Sequence, residues 1–299
     1  MKYSHHKDID RSKWDLLVQE STNPQIYMLS WYLDITSPGW KAVIWPNYEA
    51  GFPLFVKKLF LFRYVPVALL SQQTGIIFNK GFNYQQALNQ FFKSNFFKFF
   101  IRFTVNFHSG IVLSGLELQG SASFKLKKNY VLNLNSSEEE LNRNFNENRK
   151  RNLKKAHKLG WSCMPSENIT SAIEMYKSNQ GAKQKDLKNV YQIIEKIFFE
   201  CSNRNLAELY CCVNDKGDEL AWGFFAKSEK KIYYLFGSMN EEGKKHSAIS
   251  LIFEYVISKY SSQNLILDFE GGNIEGIGSY FESFGAKPET YYSLTRKLI

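Results

Sequence analysis

The chain has 299 residues, of which 44% are hydrophobic and 16% aromatic. This composition excludes an intrinsically disordered protein and is sufficient to fill the cores of two domains. The formal net charge of +9 favours anionic partners such as RNA, phosphorylated co-substrates or acidic lipid. Four cysteines without C-x-x-C spacing exclude a disulfide-rich scaffold and favour a reduced, cytoplasmic setting.

The first 80 residues predict helical turns followed by short strands. Residues 1–17 carry no apolar segment of a secretory signal, so we expect no export by that route. Residues 10–35 favour helix up to the Pro38-Gly39 turn, and residues 41–79 favour short, mostly antiparallel strands. The most apolar stretch, residues 52–70, is too often interrupted to span a membrane; the interrupting residues are Lys57, Lys58, Arg63 and Pro66.

A phenylalanine-rich block follows. Apolar residues between 84 and 99 recur at helical spacing, whereas residues 101–107 alternate as in a strand. The block could be a surface that dips into a membrane, but the clean change of period favours core packing instead.

The second half of the chain starts a new series of elements. Residues 125–134 predict a strand, and Ser136 or Ser137 then caps a helix whose first turn is acidic. We therefore predict two domains, residues 1–135 and 136–299. The predicted order after the boundary is helices, a group of antiparallel strands, a buried helix, a strand, a short helix and a last strand. This order indicates an α+β fold, with a mixed, mostly antiparallel sheet flanked by helices in each domain.

The stretch NRKRNLKKAHKLGW, residues 148–161, is strongly basic and contains no acid. A helical projection that begins at Leu141 places Asn148 and Asn152 on an apolar stripe, with Arg149 and Lys155 on its two sides. We expect these four residues to bind substrate in a cleft between the domains. The other cations are expected to face solvent; they are Lys150, Arg151, Lys154 and Lys158. A solvated charged helix without a ligand is the alternative.

Two carboxylates lie near the end of a predicted strand. Asp268 and Glu270 alternate with apolar neighbours, so both face the same side, and Gly271 beside them lets backbone approach a ligand. A substrate ammonium group fits such a site, although carboxylates at strand ends also cap helices or pair with lysines. Tyr280 is a third candidate catalytic residue because its hydroxyl can donate a proton, with core packing as the alternative.

The element order of the second half resembles the Gcn5-related acetyltransferase superfamily. More narrowly, the basic stretch and the ending LDFEGGNIEGIGSYFESFGA, residues 267–286, are similar to Fem-type proteins, the aminoacyltransferases of peptidoglycan bridge synthesis. The resemblance covers residues 138–298 and implies two tandem acetyltransferase-like domains. It also implies an N-acyltransferase that uses acyl-CoA or aminoacyl-tRNA as co-substrate and holds no tightly bound cofactor.

The superfamily places its donor phosphates between a strand and a helix, where this chain reads MNEEGKKHSA, residues 239–248. Lys244, Lys245 and His246 are therefore the candidate donor-phosphate ligands. This stretch has a single glycine, Gly243, which leaves open a catalytically silent protein that binds RNA or another anionic partner.

A peripheral enzyme that contacts anionic membranes through its outer lysines is a third hypothesis. Neither a metal-binding spacing nor a nucleotide-binding glycine motif occurs in the sequence, so we expect no metal site.

Overall fold

The computed structural model of the protein describes residues 1–116, 118, 121–179 and 188–298. Gln180, the last residue of one predicted helix, and Ile299, the last residue of the second predicted domain, lie outside these residues. The chain divides into two compact units: unit 1 is Met1–Lys127 with the chain end from Thr290, and unit 2 is Lys128–Glu289.

The strands and helices are numbered in chain order. The strands are β1 Lys2–Ser4, β2 Lys41–Ile44, β3 Ala50–Leu54, β4 Lys57–Leu59, β5 Phe62–Val65, β6 Ile77–Phe78, β7 Phe100–Asn106, β8 Ser121–Asn133, β9 Ser162–Pro165, β10 Ala207–Val213, β11 Glu219–Lys227, β12 Lys231–Met239, β13 Ile266–Asp268 and β14 Lys287–Lys297. The helices are α1 Arg11–Glu20, α2 Ser30–Thr36, α3 Tyr84–Lys93, α4 Asn95–Lys98, α5 Glu138–Arg143, α6 Glu147–Lys158, α7 Ile169–Asn179, α8 Lys188–Asn203, α9 Glu241–His246, α10 Ile249–Lys259 and α11 Ile277–Glu282.

The compact units do not divide where the sequence suggested. The predicted boundary between residues 135 and 136 lies within unit 2, because the division falls inside the continuous strand β8. The last strand was expected in the second domain. Its residues from Thr290 instead pack with unit 1, because β14 pairs antiparallel with β7 from Ser293 to Lys297.

Unit 1 contains two strand groups around a phenylalanine-rich core. One group has the order β1-β2-β3-β6, and the other has β4, β5, β7 and β14 as successive neighbours. The predicted helix-to-strand change is confirmed, with a break at Ser94 that separates α3 from α4. The core interpretation of this block is also confirmed for most of its rings, which pack against Phe52 and Phe103. Phe99 is the exception, since it is 70% exposed.

The most apolar stretch of the sequence forms strands. Residues 52–70 contribute to β3 and then fold as the hairpin β4–β5. In the part of the chain that the structure describes, no helix has both the length and the apolar character needed to cross a bilayer.

Unit 2 is built on a sheet with the order β8-β13-β12-β11-β10-β9. The pair β12–β13 is parallel, whereas the other four pairs of neighbouring strands in this order are antiparallel. Helix α10 packs against β10 and β11, and its apolar side chains fill the core with those of β12 and β13. Strands β10 and β11 form an antiparallel hairpin, with Gly217 at φ 86° in its turn. The strands thus form a mixed sheet with helices packed on it, as the α+β prediction requires.

The basic stretch does not continue the preceding helix. Ser137 caps α5, as predicted, but the chain leaves the helix after Arg143, and Asn146 caps a new helix by accepting a hydrogen bond of 2.8 Å from the Arg149 N–H. This break changes the phase of the helix. The predicted stripe through Asn148 and Asn152 is therefore wrong, and α6 instead buries Arg149, Leu153 and Ala156.

Candidate functional site

The two predicted carboxylates lie in unit 2 where β13 ends. Asp268 is paired in register with Tyr233 of β12 and with Val131 of β8. Because side chains alternate along a strand, the face that carries Asp268 also carries Lys231 and Asn129. The opposite face carries the apolar residues that pack under α10. The sheet therefore presents one polar face at this point.

Asp268 is completely buried and is held by three polar groups. Its Oδ1 atom accepts hydrogen bonds from Asn129 Nδ2 at 2.8 Å and from the backbone N–H of Glu270 at 3.0 Å. Its Oδ2 atom lies 3.5 Å from Lys231 Nζ, and Lys231 is itself buried. These contacts fix the carboxylate and place one positive charge beside it.

Glu270 has fewer partners. Among the residues that the structure describes, its Oε1 atom is buried without a hydrogen-bond partner. Burial and the charge of Asp268 raise the pKa of Glu270 well above its usual range, and Lys231 partly opposes this shift. The backbone of Glu270 has φ 52°, a left-handed conformation that is uncommon for residues other than glycine. Such local strain is frequent at binding and catalytic sites.

The glycines after Glu270 let the chain turn closely around this site. The N–H of Gly271 donates to Asn129 Oδ1 at 3.1 Å. Gly272 has φ 142°, and a Cβ there would lie 2.5 Å from the Tyr130 ring, so only glycine fits. Gly271, predicted to bind substrate, is thus adjacent to both carboxylates. Its role in binding stays a prediction.

Arg149 and Tyr280 form a second buried cluster in unit 2. The Arg149 side chain donates to Ser283 Oγ at 3.0 Å and to Ser250 Oγ, and its guanidinium lies 4.4 Å from the Tyr280 ring centroid. Tyr280 shares a hydrogen bond of 2.8 Å with Ser250, and Phe284 stacks against the guanidinium at 4.3 Å. Burial lowers the pKa of Arg149 and raises that of Tyr280. The structure therefore brings Tyr280 to Arg149, whereas the sequence interpretation grouped it with the carboxylates.

The other predicted residues of α6 are not in this cluster. Asn148 and Lys155 are exposed, and Asn152 is half-buried. Arg149 and Lys155 were expected to act together on the two sides of one stripe. They do not form a pair, because the new helix phase buries the first and exposes the second. Their roles in substrate binding stay predictions.

Lys155 instead lies near the predicted donor-phosphate residues. Burial lowers the pKa of His246, and the positive charges of Lys155 and Lys245 lower it further, with Glu242 acting in the opposite direction. His246 contacts the Trp161 ring edge to face at 5.6 Å. We call Lys155 and Lys245, together with His246, the cationic patch; because the pKa of His246 is lowered, the two lysines supply its charge. Lys244 points elsewhere, since its Nζ atom pairs with Glu241 Oε1 at 2.6 Å.

The segment expected to cradle phosphate forms the short helix α9. Asn240 caps it by accepting a hydrogen bond of 2.7 Å from the N–H of Gly243. A Cβ at Gly243 would lie 2.2 Å from the backbone oxygen of Leu220 in β11. This glycine is therefore required for close packing of α9 on β11. Its N–H already has a partner, so it is not free to bind a phosphate.

Several residues of these clusters were missed in the sequence, among them Lys231, Asn129 and Ser250. Lys231 and Asn129 meet Asp268 only because β12 and β8 flank β13, and the sequence gives no strand order. Ser250 lies within the apolar pattern of α10, so the sequence did not mark it as a site residue. The one available signal was the alternation in β12, which places Lys231 on the same face as Tyr233. Among the described residues, no three His, Cys, Asp or Glu side chains converge as metal ligands would.

Solved structures with the same architecture clarify the fold. FemX superposes with a TM-score of 0.66 at 13% identity, over 98% of this chain and 97% of FemX. The chain has a Fem-type fold. L-PGS from Bacillus licheniformis gives a TM-score of 0.60 at 10% identity, with 97% of this chain and 92% of that one covered. The C-terminal domain of a protein assigned as a lysylphosphatidylglycerol synthetase from Agrobacterium fabrum gives 0.57 at 9% identity, with 89% and 86% covered.

The likeness to FemX extends over almost the whole of both chains. The predicted fold class of two tandem acetyltransferase-like domains is therefore confirmed. No protein-family model and no curated protein sequence matches the chain. At identities this low, the Fem-type comparison establishes architecture. The chemistry of the chain has to be argued from its own residues.

Proposed function

We propose that the protein is an N-acyltransferase that moves an acyl or aminoacyl group from an anionic carrier to an amine. The Fem-type fold supports the general class. The observation that carries the proposal is Glu270, a residue in a strained conformation near Asp268 and Lys231, whose buried Oε1 atom has no hydrogen-bond partner among the described residues. A carboxyl group with a raised pKa beside a fixed carboxylate is suited to bind an ammonium ion and to accept its proton.

The proposed reaction needs one base. The acceptor arrives as an ammonium ion, gives one proton to the ionised Glu270, and then attacks the carbonyl carbon of the donor. A nitrogen–carbon bond forms, and the ester or thioester bond to the carrier breaks. The nitrogen loses a second proton as the amide forms, and the released carrier oxygen or sulfur takes up that proton. Glu270 then returns the first proton to solvent, so the proton count is balanced. Asp268 stays bound to Asn129 and Lys231 and holds the site in place.

The donor phosphates would bind at the cationic patch. Strand β12 pairs with β13 only from Lys231 to Tyr233 and then continues to Met239, two residues before α9 begins at Glu241. Tyr233 and Met239 are therefore about 20 Å apart along an extended strand. A donor anchored by its phosphates at this end needs a long arm to bring its acyl carbon to Glu270. Phosphopantetheine and the acceptor end of a tRNA both provide such an arm.

The candidate acceptors differ in size and in the chemical group that would be acylated. A cell-wall precursor is one candidate, because the basic stretch and the C-terminal motif resemble Fem-type proteins. The name of the lysylphosphatidylglycerol synthetase neighbour contains a lipid product, so phosphatidylglycerol, which offers a hydroxyl group and no amine, is added to the screen as the comparison acceptor. Aminoacyl-tRNA and CoA thioesters are made inside cells, and the proposal therefore places the reaction in the cytoplasm.

Transfer is tested with the purified full-length chain. Labelled aminoacyl-tRNA or acetyl-CoA is supplied as donor, with a UDP-linked muropeptide, phosphatidylglycerol vesicles or a pool of small amines as acceptors. We expect Glu270→Gln to lower kcat/KM by about 100-fold or more, which is the usual range for losing a general base. Glu229→Gln is the matched control, since Glu229 is an exposed glutamate in the same unit. Unchanged turnover in Glu270→Gln would exclude the proposed base.

The second candidate function is binding of RNA without catalysis. Helix α6 exposes four cations that have no carboxylate partner within the described part of the chain; they are Arg151, Lys154, Lys155 and Lys158. Cations of this kind bind phosphate backbones with a steep salt dependence. If tRNA binds with such a dependence while every donor and acceptor pair gives no turnover, this second function replaces the first.

A further inference from the structure

The hairpin β4–β5 of unit 1 ends in an exposed apolar turn. Phe60 and Leu61 form this turn and are 91% and 97% exposed, and Leu59 and Phe62 beside them are about half exposed. We call these four residues the apolar tip. Single exposed apolar residues are ordinary, but four consecutive ones at the end of a hairpin are a recognised mark of an interaction site.

The turn is also poorly suited to its residues. Leu59 pairs with Phe62, so Phe60 and Leu61 make a two-residue turn, and Phe60 has φ 52°. Turns of this length with positive φ strongly prefer glycine, asparagine or aspartate. A phenylalanine at this position does not lower the cost of the left-handed backbone conformation, and its ring is not buried. Folding of the hairpin therefore does not explain why the residue is there.

Several cations lie on the strands that carry the apolar tip and on the strands next to them. Strand β5 runs parallel to β7 with Arg63 opposite Phe100. The exposed Phe99 therefore lies at the same end of these strands as the apolar tip. Strand β14 ends there too, because Lys297 is opposite Arg102. The segments 57–63, 98–102 and 297–298 contain no acidic residue. Their exposed cations are Lys57, Lys58, Arg63, Lys98, Arg102 and Lys297.

We propose that this edge of unit 1 docks on an anionic lipid bilayer, with the apolar tip inserted among the acyl chains and the six cations at the headgroups. A bilayer surface complements this arrangement, because its negative headgroups attract the cations and its apolar interior accepts the apolar tip. The arrangement places membrane contact on the β4–β5 hairpin, whereas the sequence had suggested the lysines of α6.

A second copy of the chain fits this edge less well. Symmetric pairing through the apolar tip would bring two sets of six cations together, and like charges across an interface are unfavourable. Membrane docking also does not depend on the proposed acyl transfer, since it uses residues of unit 1 and the carboxylates lie in unit 2.

Docking is tested by co-sedimentation of the full-length chain with vesicles. Vesicles of 30% phosphatidylglycerol in phosphatidylcholine should bind the wild type, and pure phosphatidylcholine vesicles should bind it weakly. The double variant Phe60→Ser/Leu61→Ser should bind the anionic vesicles at least tenfold more weakly, because it removes two large inserted side chains. Lys57→Gln/Lys58→Gln should weaken binding by about fivefold for each charge removed.

The matched control is Leu126→Ser/Ile274→Ser, which replaces two other exposed apolar side chains and should bind like the wild type. Circular dichroism and thermal unfolding should be alike for all variants, because every substituted side chain is exposed.

Two results would overturn the proposal. Equal binding of the Phe60→Ser/Leu61→Ser variant and the control would mean electrostatic adsorption without insertion. Absence of vesicle binding together with self-association that this variant abolishes would assign the apolar tip to a second copy.

Discussion

Unit 2 buries charge in two places, and the two places differ in how completely the charge is satisfied. Arg149 is enclosed by Ser250 and Ser283 and by the rings of Tyr280 and Phe284. Glu270 is next to Asp268 and Lys231, yet its Oε1 atom has no partner among the described residues. A buried ion with a full set of contacts stabilises a fold. One that lacks them has capacity left for a ligand.

The structure also separates three residues that the sequence interpretation put together. Tyr280 and the carboxylates belong to one C-terminal motif, but they lie in different clusters. The Tyr280 hydroxyl is already bonded to Ser250, whose Oγ atom also lies 2.9 Å from Ser247 Oγ. Tyr280 is therefore better explained as part of the Arg149 cluster, and Glu270 remains the candidate base.

The largest effect is expected from Arg149→Ala. The substitution removes a large buried side chain and leaves Ser250 and Ser283 without their donor, so the free energy of unfolding should fall by about 3 kcal/mol. Lys155→Ala on the exposed face of the same helix should change it by about 0.5 kcal/mol or less. Urea unfolding measures both. Equal stability of the two variants would show that the cluster around Arg149 is not structural.

A smaller loss is expected from Ser250→Ala. It removes the acceptor of an Arg149 N–H and one of the hydrogen bonds of the Tyr280 hydroxyl, which also bonds to Ser247. Such a loss typically costs about 1 to 3 kcal/mol. Ser162→Ala, at an exposed position of the edge strand β9, is the control. A Ser250→Ala variant as stable as its control would mean that water or a neighbour replaces the hydroxyl without loss.

Glu270→Gln is expected to change how stability depends on pH. The folded-state pKa of Glu270 is raised, so above the ordinary pKa of about 4.3 the unfolded chain releases a proton that the folded chain keeps. Wild-type stability must therefore fall as pH rises between these two pKa values, with a slope of at most about 1.4 kcal/mol per pH unit. The glutamine variant lacks this fall. Urea unfolding of both proteins from pH 4 to 8 gives the free energy of unfolding at each pH. If the difference between wild type and variant is the same at every pH, the raised pKa is contradicted.

Lys231→Met should displace the pH profile, in addition to the stability lost when the buried Asp268 carboxylate loses its positive partner. The positive charge of Lys231 lowers the pKa of Glu270, so its removal raises that pKa further. The acidic limb of kcat/KM should move to higher pH, and the pH window of falling stability should extend upward. Lys230→Met, an exposed neighbour, is the control. The pH dependence of stability tests the effect of Lys231 on the pKa of Glu270 even if no transfer activity is found.

Much of the site could be anticipated, but its grouping could not. Alternation in LDFE places Asp268 and Glu270 on one face, because this depends only on neighbours in the chain. The projection of the basic stretch failed at Asn144–Asn146, where the helix stops and restarts with a different phase. Asn146 is one of several asparagines there, and a capping residue cannot be distinguished from a helical one until its side chain is seen to accept the Arg149 N–H.

The sequence by itself determined the α+β class, the positions of most strands and helices and the buried phenylalanine block, because hydrophobic period and turn residues are local properties. Only the tertiary structure decided which residues meet. The order of β8, β13 and β12 brings Asn129 and Lys231 to Asp268, and the packing of α6 against α10 and α11 encloses Arg149. Contacts between distant segments depend on strand order and helix phase, and neither can be read from residues that are adjacent in the chain.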